Sequence, residues 1–398
     1  METRILAAAD LAAATGHRVA IRAGRSTPPG STTADRLAAY DFSALEHLWE
    51  STARSRALDV TGRALVRVGN RQAIANQRAG RRLGTHRVVR RMAARYWDGP
   101  GQEVLANTSV LHLFGPPLPF VQQGLAAAHA AGVPVLYQSV HEITPEYAAN
   151  IYRKGFRGTC NQLDLILISH PGQVADFAEH FDYQGRTVTI SQSALDIEDD
   201  LLELQRASAR PAGEPLVIGT LCRLDEVKGL DVLLEAFARI APGASDVVLR
   251  IGGTGAQEQA LRAQAEALGI SARVELPGLV TDRAAFYAGL DVFAITSRSE
   301  GGPVTGVEAM AAGLPIVSTA VGAMPDRLDG GLGLLVEVDD VDASATALGR
   351  LVADADLRRS LGAAARERYV DRYTERAQQA ALTALWDELI AHHPASPR

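Results

Sequence analysis

Two stretches in the second half of the chain combine charged side chains with tight turns. The first runs from Cys222 to Gly229 and contains Arg223 and Lys228, directly after an apolar run that predicts a strand. A strand-to-helix turn presents backbone N–H groups at the start of the helix, which suits an anion. An arginine fork and a lysine point charge are together suited to a diphosphate. Surface cations on an ordinary helix turn would give the same pattern, so this motif alone leaves both interpretations open.

The second stretch, Ser299 to Met310, contains two glutamates eight positions apart, Glu300 in a glycine-rich turn and Glu308 about one turn into the helix predicted to follow. The turn residues are Gly301, Gly302, Pro303, Val304 and Thr305. Their backbone would offer donors to phosphate oxygens at a helix N-terminus. A carboxylate on the helix can accept hydrogen bonds from the vicinal hydroxyls of a ribose. A carboxylate in the turn can reach sugar hydroxyls or stabilise positive charge at an anomeric carbon. A helix-dipole partner and a solvated helix residue are the simpler explanations of the two glutamates.

A glycine turn, Gly252-Gly253-Thr254-Gly255, follows another predicted strand. It is not a dinucleotide fingerprint, because the pattern counted from Gly253 requires glycine or alanine where the chain has Glu258. We take Gly253 as a candidate ligand contact, where the missing side chain would let a donor approach. A tight turn that meets only neighbouring backbone explains the glycine equally well.

The order of elements predicts a scaffold that gathers these motifs. Short β-rich runs alternate with helical segments, which is typical of parallel sheets built from βα units. Strands are predicted at 19–23, 110–114, 133–138, 164–169 and 187–190, and in a second series at 216–221, 247–251, 273–276, 292–296 and 315–319. The polar stretch Ile197–Glu214, which ends in proline and glycine, is the predicted linker. We expect an α/β protein of two Rossmann-like domains facing a cleft, with ligands beyond the carboxyl ends of the strands.

Length and composition agree with two soluble domains. The 398 residues suit an N-terminal domain at 1–205, a C-terminal domain at 206–375, and a final helix at 376–398 that packs back on the N-terminal domain. The two cysteines are far apart and lack metal-site spacing, so neither a disulfide framework nor a thiolate metal site is expected. No apolar run approaches the ~18 residues that span a bilayer, and no signal-peptide layout opens the chain. These features favour a cytoplasmic protein.

One region is strongly basic although the net charge of the chain is −6. Residues 54–95 include twelve arginines and a single acid, Asp59. Such a segment could make a peripheral contact with an anionic membrane at its inner face. A solvated helical face in an arginine-rich chain would look the same. Nucleic acid is not the expected partner, because only Tyr96 and Trp97 would serve as stacking platforms.

From Leu216 to about Tyr373 the chain resembles the donor-binding domain of family 4 retaining glycosyltransferases, which have the GT-B fold. The matching motifs are, in order, the arginine and Lys-Gly after the first strand, the glycine turn, a strand ending near 277–278, the apolar-Asp-Val run at 290–292, the two glutamates, and the segments 309–317 and 321–322. Several motifs in one order over some 150 residues are more specific than any one of them.

The resemblance implies a role for each matching residue. Arg223 and Lys228 would hold the diphosphate of a nucleoside diphosphate sugar, and the backbone at 301–305 would contact the donor. Glu308 would bind the ribose, and Glu300 would lie against the transferred sugar. The family needs neither metal nor cofactor, because cations and helix ends neutralise the charge.

The first half is similar to the same family over fewer residues. Residues 135–141 resemble a strand end where many members place an active-site histidine. The resemblance implies that His141 contacts the donor sugar near the reaction centre, and His112 has a weaker claim. A structural or merely exposed histidine is the alternative at both positions.

The chain departs from the family pattern at two places. Cys222 stands where the family commonly has glycine. The chain also opens at the family's first helix, without the strand and glycine-rich loop that usually precede it. We therefore expect an N-terminal domain that lacks its first strand, and Met1 as an internal codon of a longer reading frame.

The expected function is the transfer of a hexose-type sugar from a nucleoside diphosphate sugar to an acceptor hydroxyl, with retention of configuration. The acceptor would be a glycan, a lipid-linked molecule or a small molecule. A non-catalytic nucleotide-sugar-binding protein and a GT-B sugar epimerase remain alternatives. A phosphorylase would need a lysine for pyridoxal phosphate, and Lys154 and Lys228 are the only lysines in the chain.

Overall fold

The computed structural model describes residues 19–23, 94, 97–106, 108–114, 119–138, 156–190, 197–204, 214–244 and 246–392. The described residues form two compact units. The described residues within Met1–Ile168, Gln173–Val188 and Leu382–Arg398 belong to unit 1, and those within Ser169–Gly172 and Thr189–Ala381 belong to unit 2. The main division falls at 188/189, earlier than the 205/206 boundary expected from the sequence.

Unit 1 contains a five-stranded sheet. Its strands are β1 (Val19–Ala23), β2 (Val110–Phe114), β3 (Val135–Gln138), β4 (Leu165–Ile168) and β5 (Thr187–Thr189). They lie in the order β1-β2-β3-β4-β5, with parallel pairing from β1 to β4. Its described helices include α1 (Pro100–Ala106), α2 (Pro119–Ala130) and α3 (Gln173–Phe181). The five strands predicted in the first half are confirmed to within two residues at each end.

The core of unit 1 is rich in aromatic rings. All four residues of β4 are buried, as expected for a parallel strand covered on both faces. Beside the sheet, the ring centroid of Phe156 lies 5.2 Å from that of Tyr137 and 5.3 Å from that of Phe181. Phe177 extends the cluster, 5.8 Å from Phe181. Such rings bury large apolar areas and fix the sheet to the surrounding helices.

Unit 2 contains a six-stranded parallel sheet whose strand order reverses in the middle. The strands are β6 (Leu216–Leu221), β7 (Val247–Gly252), β8 (Val274–Gly278), β9 (Val292–Ile295), β10 (Ile316–Thr319) and β11 (Leu334–Val336). Their order is β11-β10-β9-β6-β7-β8, so β6 lies between β7 and β9. Ligands of such sheets bind beyond the carboxyl ends of the strands that flank the reversal. The topology therefore directs attention to the residues that follow β6 and β9.

Helices cover both faces of this sheet. Those with residues in its two core clusters are α4 (Glu198–Glu203), α5 (Leu230–Ile240), α6 (Glu258–Ala267), α7 (Arg283–Ala288), α8 (Val304–Ala311), α9 (Met324–Arg327), α10 (Val341–Ala353) and α11 (Ala355–Arg372), and α12 (Glu375–His392) follows them in the chain. Val292 and Ala294 of β9 pack in the cluster of α5, α6 and α10. Phe293 and Ile295 pack in the cluster of α4, α7, α8 and α11. Successive side chains of a strand point to opposite faces, so one short apolar strand anchors both layers.

Helix α4 lies inside the predicted linker and belongs to unit 2. Leu201 is fully buried in the cluster of α8 and α11. Arg366 donates to the Leu201 carbonyl at 3.3 Å. The Glu198 carboxylate accepts hydrogen bonds from the Tyr369 hydroxyl and from the Glu375 N–H. These contacts place the division of the chain before α4 rather than after it.

The last helix, α12, is shared between the units, since residues from Leu382 onwards group with unit 1. There Trp386 is fully buried, and its ring meets the edge of the His112 ring at 6.3 Å between centroids. The Glu388 carboxylate forms a two-pronged ion pair with the Arg186 guanidinium, with 2.8 Å between Nη2 and Oε2.

Within the described part of the chain, no helix is both long enough and apolar enough to cross a membrane. The arginines of segment 54–95 and the first eighteen residues lie outside the described residues. The membrane contact of that segment and the missing first strand of the N-terminal domain therefore stay predictions.

The turn after β7 packs its backbone directly on the turn after β6. Gly253 has a φ of +124°, and a Cβ at this position would lie 1.8 Å from the Cys222 carbonyl oxygen. The Cys222 N–H donates to the Gly252 carbonyl at 3.1 Å, and the Leu224 N–H donates to the Thr254 carbonyl at 3.0 Å. The close approach of neighbouring backbone thus accounts for the glycine.

Replacing Gly253 by alanine should lower the free energy of unfolding by about 2–4 kcal/mol, because a methyl group there both clashes with backbone and strains φ. Chemical denaturation measures this. Gly269 has a φ of +69° with nothing within 4 Å of its added Cβ, so Gly269→Ala should cost only about 1 kcal/mol. Gly243→Ala, with open space and no positive φ, should cost little. Equal losses for the Gly253 and Gly269 variants would contradict the close approach.

Candidate functional site

Lys228 and Glu300 meet beyond the carboxyl ends of β6 and β9. The Lys228 Nζ lies 2.5 Å from Glu300 Oε1. The Ser297 hydroxyl donates to the same carboxylate oxygen at 3.0 Å. The side chains are 17% and 16% exposed, so the pair is mostly buried and still open to solvent. The structure thus brings together a cation and a carboxylate that lie 72 positions apart in the sequence.

Close packing of backbone fixes the position of Lys228. The lysine ends the short 3-10 turn Glu226–Lys228, and Gly229 follows it with a φ of +59°. A Cβ on Gly229 would lie 2.0 Å from the Thr296 carbonyl oxygen. The Thr296 hydroxyl in turn donates to the Lys228 carbonyl at 3.3 Å. Glycine is therefore required for the lysine turn to lie against the segment after β9.

Arg298 ties the same two segments together. Its N–H donates to the Val227 carbonyl at 2.8 Å, and its guanidinium donates to the Glu226 carbonyl at 2.7 Å. The guanidinium also binds both carboxylate oxygens of Asp231, at 3.0 and 2.7 Å, and Asp339 at 2.7 Å. The hydrogen bond to Asp231, with the charges of both aspartates, raises the pKa of Arg298. Burial alone would raise the pKa of Asp231, but its bonds and charge contact with Arg298 lower it overall.

Glu308 is held from two sides by residues of α7. Its side chain is only 1% exposed. The Tyr287 hydroxyl donates to Oε2 at 2.5 Å, and the Arg283 guanidinium donates to Oε1. Burial, with the charge of Glu308 next in weight, raises the pKa of Tyr287 well above its usual value. The phenol therefore stays protonated and remains a hydrogen-bond donor to the carboxylate.

The predicted turn 301–305 leads into α8, which begins at Val304 with Pro303 as its N-cap residue. The Pro303 carbonyl accepts from the Gly306 N–H at 3.1 Å and from Arg327 Nη1 at 2.7 Å. Arg327 is fully buried. The first N–H groups of a helix have no carbonyl partner within the helix, so this end is suited to an anion.

Cys222 directly follows β6, and its thiol is half-buried and forms no disulfide. Burial raises the pKa of its thiol to about 11; the Lys228 charge acts against this shift and the Glu300 charge adds to it. The same thiol contributes to the raised pKa of Tyr287.

Arg223 and Gly253 stand apart from the Lys228–Glu300 contact. Arg223 is 77% exposed, and its guanidinium binds Asp225 Oδ2 at 2.9 Å. It lies on the same turn as Lys228 but at its solvent-facing rim. Gly253 shapes the backbone beneath that turn, as described above. Their predicted contacts with a donor stay predictions.

The structure describes only one of the two candidate histidines, His112. His141 lies outside the described residues, so its predicted role remains a prediction. His112 is fully buried in unit 1, where burial lowers its pKa to about 3 against the opposing effect of a hydrogen bond with Gln138. A neutral core histidine packed on Trp386 is the structural role that fits this environment.

Four residues that hold the charged groups were missed by the sequence motifs. They are Arg283, Tyr287, Arg298 and Arg327. The sequence could have indicated the first two. Arg283 follows the predicted strand 273–276, so it lies at the carboxyl edge of the sheet, and Tyr287 lies one helical turn later. Arg298 and Arg327 act on backbone carbonyls of distant segments, which no local pattern indicates.

The arrangement is suited to a phosphorylated ligand that carries hydroxyls. Lys228 and the start of α8 can neutralise phosphate oxygens, and the carboxylates of Glu300 and Glu308 can accept hydrogen bonds from hydroxyl groups. Among the residues that the structure describes, no three or more His, Cys, Asp and Glu side chains are grouped to hold a metal ion.

Sequence comparison identifies similar proteins. The profile of the family "Glycosyl transferases group 1" matches residues 203–368. The lipopolysaccharide core biosynthesis glycosyltransferase LpsE of Rhizobium meliloti is 32% identical over 277 residues, covering 64% of this chain and 73% of that protein. The D-inositol 3-phosphate glycosyltransferase of Corynebacterium jeikeium is 33% identical over 242 residues, covering 57% of this chain. The chain spans 50% to 60% of the length of the D-inositol 3-phosphate glycosyltransferases that it matches.

Structural comparison agrees with the topology. The crystal structure of Anabaena HepE in complex with UDP matches with a TM-score of 0.62 at 20% identity, over 74% of this chain and 82% of that one. Similarity at this level of identity shows the fold alone. The predicted α/β class and GT-B fold are confirmed.

The raised pKa of Cys222 predicts slow reaction with thiol reagents, because only the thiolate attacks them. In a Cys160→Ala variant, which leaves Cys222 as the single thiol, the iodoacetamide rate at pH 8 should be at least about a hundredfold below that of an exposed cysteine. The rate should rise about tenfold per pH unit towards a pKa of about 11. The same variant in denaturant should titrate near the ordinary thiol value. A rate in the native protein that levels off below about pH 9 would contradict the buried environment.

Proposed function

This chain belongs to the glycosyl transferases group 1 family, and we propose that it moves a hexose-type sugar from a nucleoside diphosphate sugar to an acceptor hydroxyl with retention of configuration. The observation that carries the proposal is the contact of Lys228 with Glu300 beyond β6 and β9, with Glu308 on α8, the helix that follows the Glu300 turn. A single crevice then offers a cation for a diphosphate and carboxylates for sugar and ribose hydroxyls.

The proposed mechanism depends on neutralising the leaving group. Lys228, together with Arg223 and the first turn of α8, would stabilise the charge that grows on the nucleoside diphosphate as the glycosidic bond breaks. Glu300 would lie against the transferred sugar, where positive charge develops at the anomeric carbon, and Glu308 would hold the ribose. The acceptor hydroxyl would attack the anomeric carbon from the same face as the bond to the diphosphate breaks, and its proton would pass to an oxygen of the departing phosphate. His141 is proposed to contact the donor sugar near the reaction centre.

The identity of the donor is tested first. Names of relatives point to different substrates: one, from Mycolicibacterium smegmatis, is a GDP-mannose-dependent mannosyltransferase, and Anabaena HepE was crystallised with UDP. A thermal-shift screen with UDP-, GDP- and ADP-sugars would select the donor, because a ligand that binds the folded state raises its apparent stability. A cytoplasmic location is part of the proposal, since donor and enzyme must meet there.

Replacing Lys228 by alanine should lower kcat/KM for sugar transfer about ten- to hundredfold. The variant loses a charge-assisted contact with the diphosphate, which contributes about 1.5–3 kcal/mol. Steady-state kinetics with the donor selected above measure the change. Arg262→Ala is the matched control, because Arg262 is an exposed cation on α6 that pairs with Glu258 one turn away. Unchanged kinetics in the Lys228 variant would refute the assigned role.

The same assay separates the alternatives. Release of nucleoside diphosphate together with a glycosylated acceptor supports the transferase. Donor binding without any release of nucleoside diphosphate would favour a non-catalytic binding protein, and conversion of the sugar without an acceptor would favour an epimerase.

Metal independence is a further expected outcome. If Lys228, Arg223 and the start of α8 neutralise the diphosphate, an excess of EDTA should leave the transfer rate unchanged within about twofold. The measurement is the rate before and after chelation, with added Mg²⁺ or Mn²⁺ as the reverse experiment. A loss of activity that either metal restores would show that a cation carries part of this charge.

A further inference from the structure

A donor diphosphate and two carboxylates in one crevice repel each other unless the carboxylates are paired. Like charges a few ångströms apart in a partly buried site interact strongly, because little water screens them. Glu300 is paired with Lys228. Glu308 is more deeply buried, so its charge is the harder one to accommodate.

The cation that the structure pairs with Glu308 is Arg283. Its guanidinium donates to Oε1, and the neutral Tyr287 hydroxyl donates to Oε2. Arg283 opens α7 and Tyr287 follows four residues later, so both side chains reach the carboxylate from one face of one short helix. The Asp282 side chain caps this helix by accepting from the Ala285 N–H at 2.9 Å, which fixes the helix start that carries Arg283.

The two partners of Glu308 have different roles: Tyr287 orients the carboxylate and Arg283 neutralises its charge. Tyr287 is fully buried and stays protonated, so it orients the carboxylate without changing its charge. Arg283 is 28% exposed and brings the positive charge.

We propose that Arg283 is a positioning residue of this site, which neutralises Glu308 so that the carboxylate can bind ribose hydroxyls without repelling the neighbouring diphosphate. The inference rests on the proposed function, because it assigns the diphosphate and ribose to Lys228 and Glu308. It adds a residue that neither motif contains.

The test compares ligands that differ only in their phosphates. Dissociation constants of UDP, GDP and ADP, measured by calorimetry, are set against those of uridine, guanosine and adenosine, measured by ligand-observed NMR. For each base, the dissociation constant of the nucleoside divided by that of the nucleoside diphosphate gives the phosphate preference of the site. In Arg283→Gln this preference should fall about tenfold for the diphosphate that binds the natural protein, while nucleoside affinity changes by less than about threefold.

Two further variants separate charge from packing. Arg283→Lys keeps the charge and should retain most of the phosphate preference. The double variant Arg283→Gln, Glu308→Gln removes both charges and should restore the phosphate preference towards that of the natural protein. Arg262→Gln, on α6, should change nothing.

Three results would contradict the proposed role of Arg283 or the proposed function itself. Equal weakening of nucleoside and diphosphate in Arg283→Gln would mean that Arg283 only shapes the ribose contact, and would overturn the proposal. A double variant as weak as Arg283→Gln would mean that Arg283 binds phosphate directly, which also overturns it. If none of the three diphosphates binds the natural protein, the proposed function itself fails, and this result is distinct from the other two.

Discussion

The close contact between the turn after β6 and the segment after β9 is the constraint on which the site depends. β6 and β9 are neighbours because the strand order reverses at β6, so their carboxyl ends open at the same edge. Gly229 then lets the lysine turn approach the Thr296 carbonyl, and Arg298 spans the two segments through carbonyl and carboxylate contacts. Lys228 and Glu300 thus meet through backbone geometry, which is stiffer than a contact between two long side chains alone.

Charge is balanced locally at this edge. Buried carboxylates are unfavourable unless they are paired and hydrogen-bonded. Glu300 has Lys228 and Ser297, and Glu308 has Arg283 and Tyr287. Such pairs contribute little net stability, because the attraction mainly offsets the loss of hydration. Their effect is to fix the orientation of both carboxylates, so that, under the proposed function, ligand binding would have less to rearrange.

The sequence predicted those parts of the site that lie within continuous motifs, and missed those that come from packing between distant segments. Lys228 and Glu300 each follow a strand in a recognisable turn, and Glu308 lies on the helix that begins after the second turn. Parallel topology alone brings such turns to one edge. Arg327 could not be predicted, because its contact with Pro303 joins two separate helices. Helix α4 lies in a polar stretch, and the side chains that hold it, among them Arg366 and Tyr369, come from distant segments that no local pattern reveals. The glycine at 253 was recognised, but only the structure shows that it accommodates the Cys222 carbonyl.

Arg327 brings a buried cation to the first turn of α8. The guanidinium is fully buried and binds the N-cap carbonyl of α8. A helix already carries partial positive charge at its N-terminus, so a cation there adds to the dipole instead of opposing it. Arg327 is also the last residue of α9, where the helix dipole is negative, so the same guanidinium lies between the negative end of α9 and the positive end of α8. Under the proposed function, a phosphate at the first turn of α8 would be attracted both by the helix end and by this buried charge.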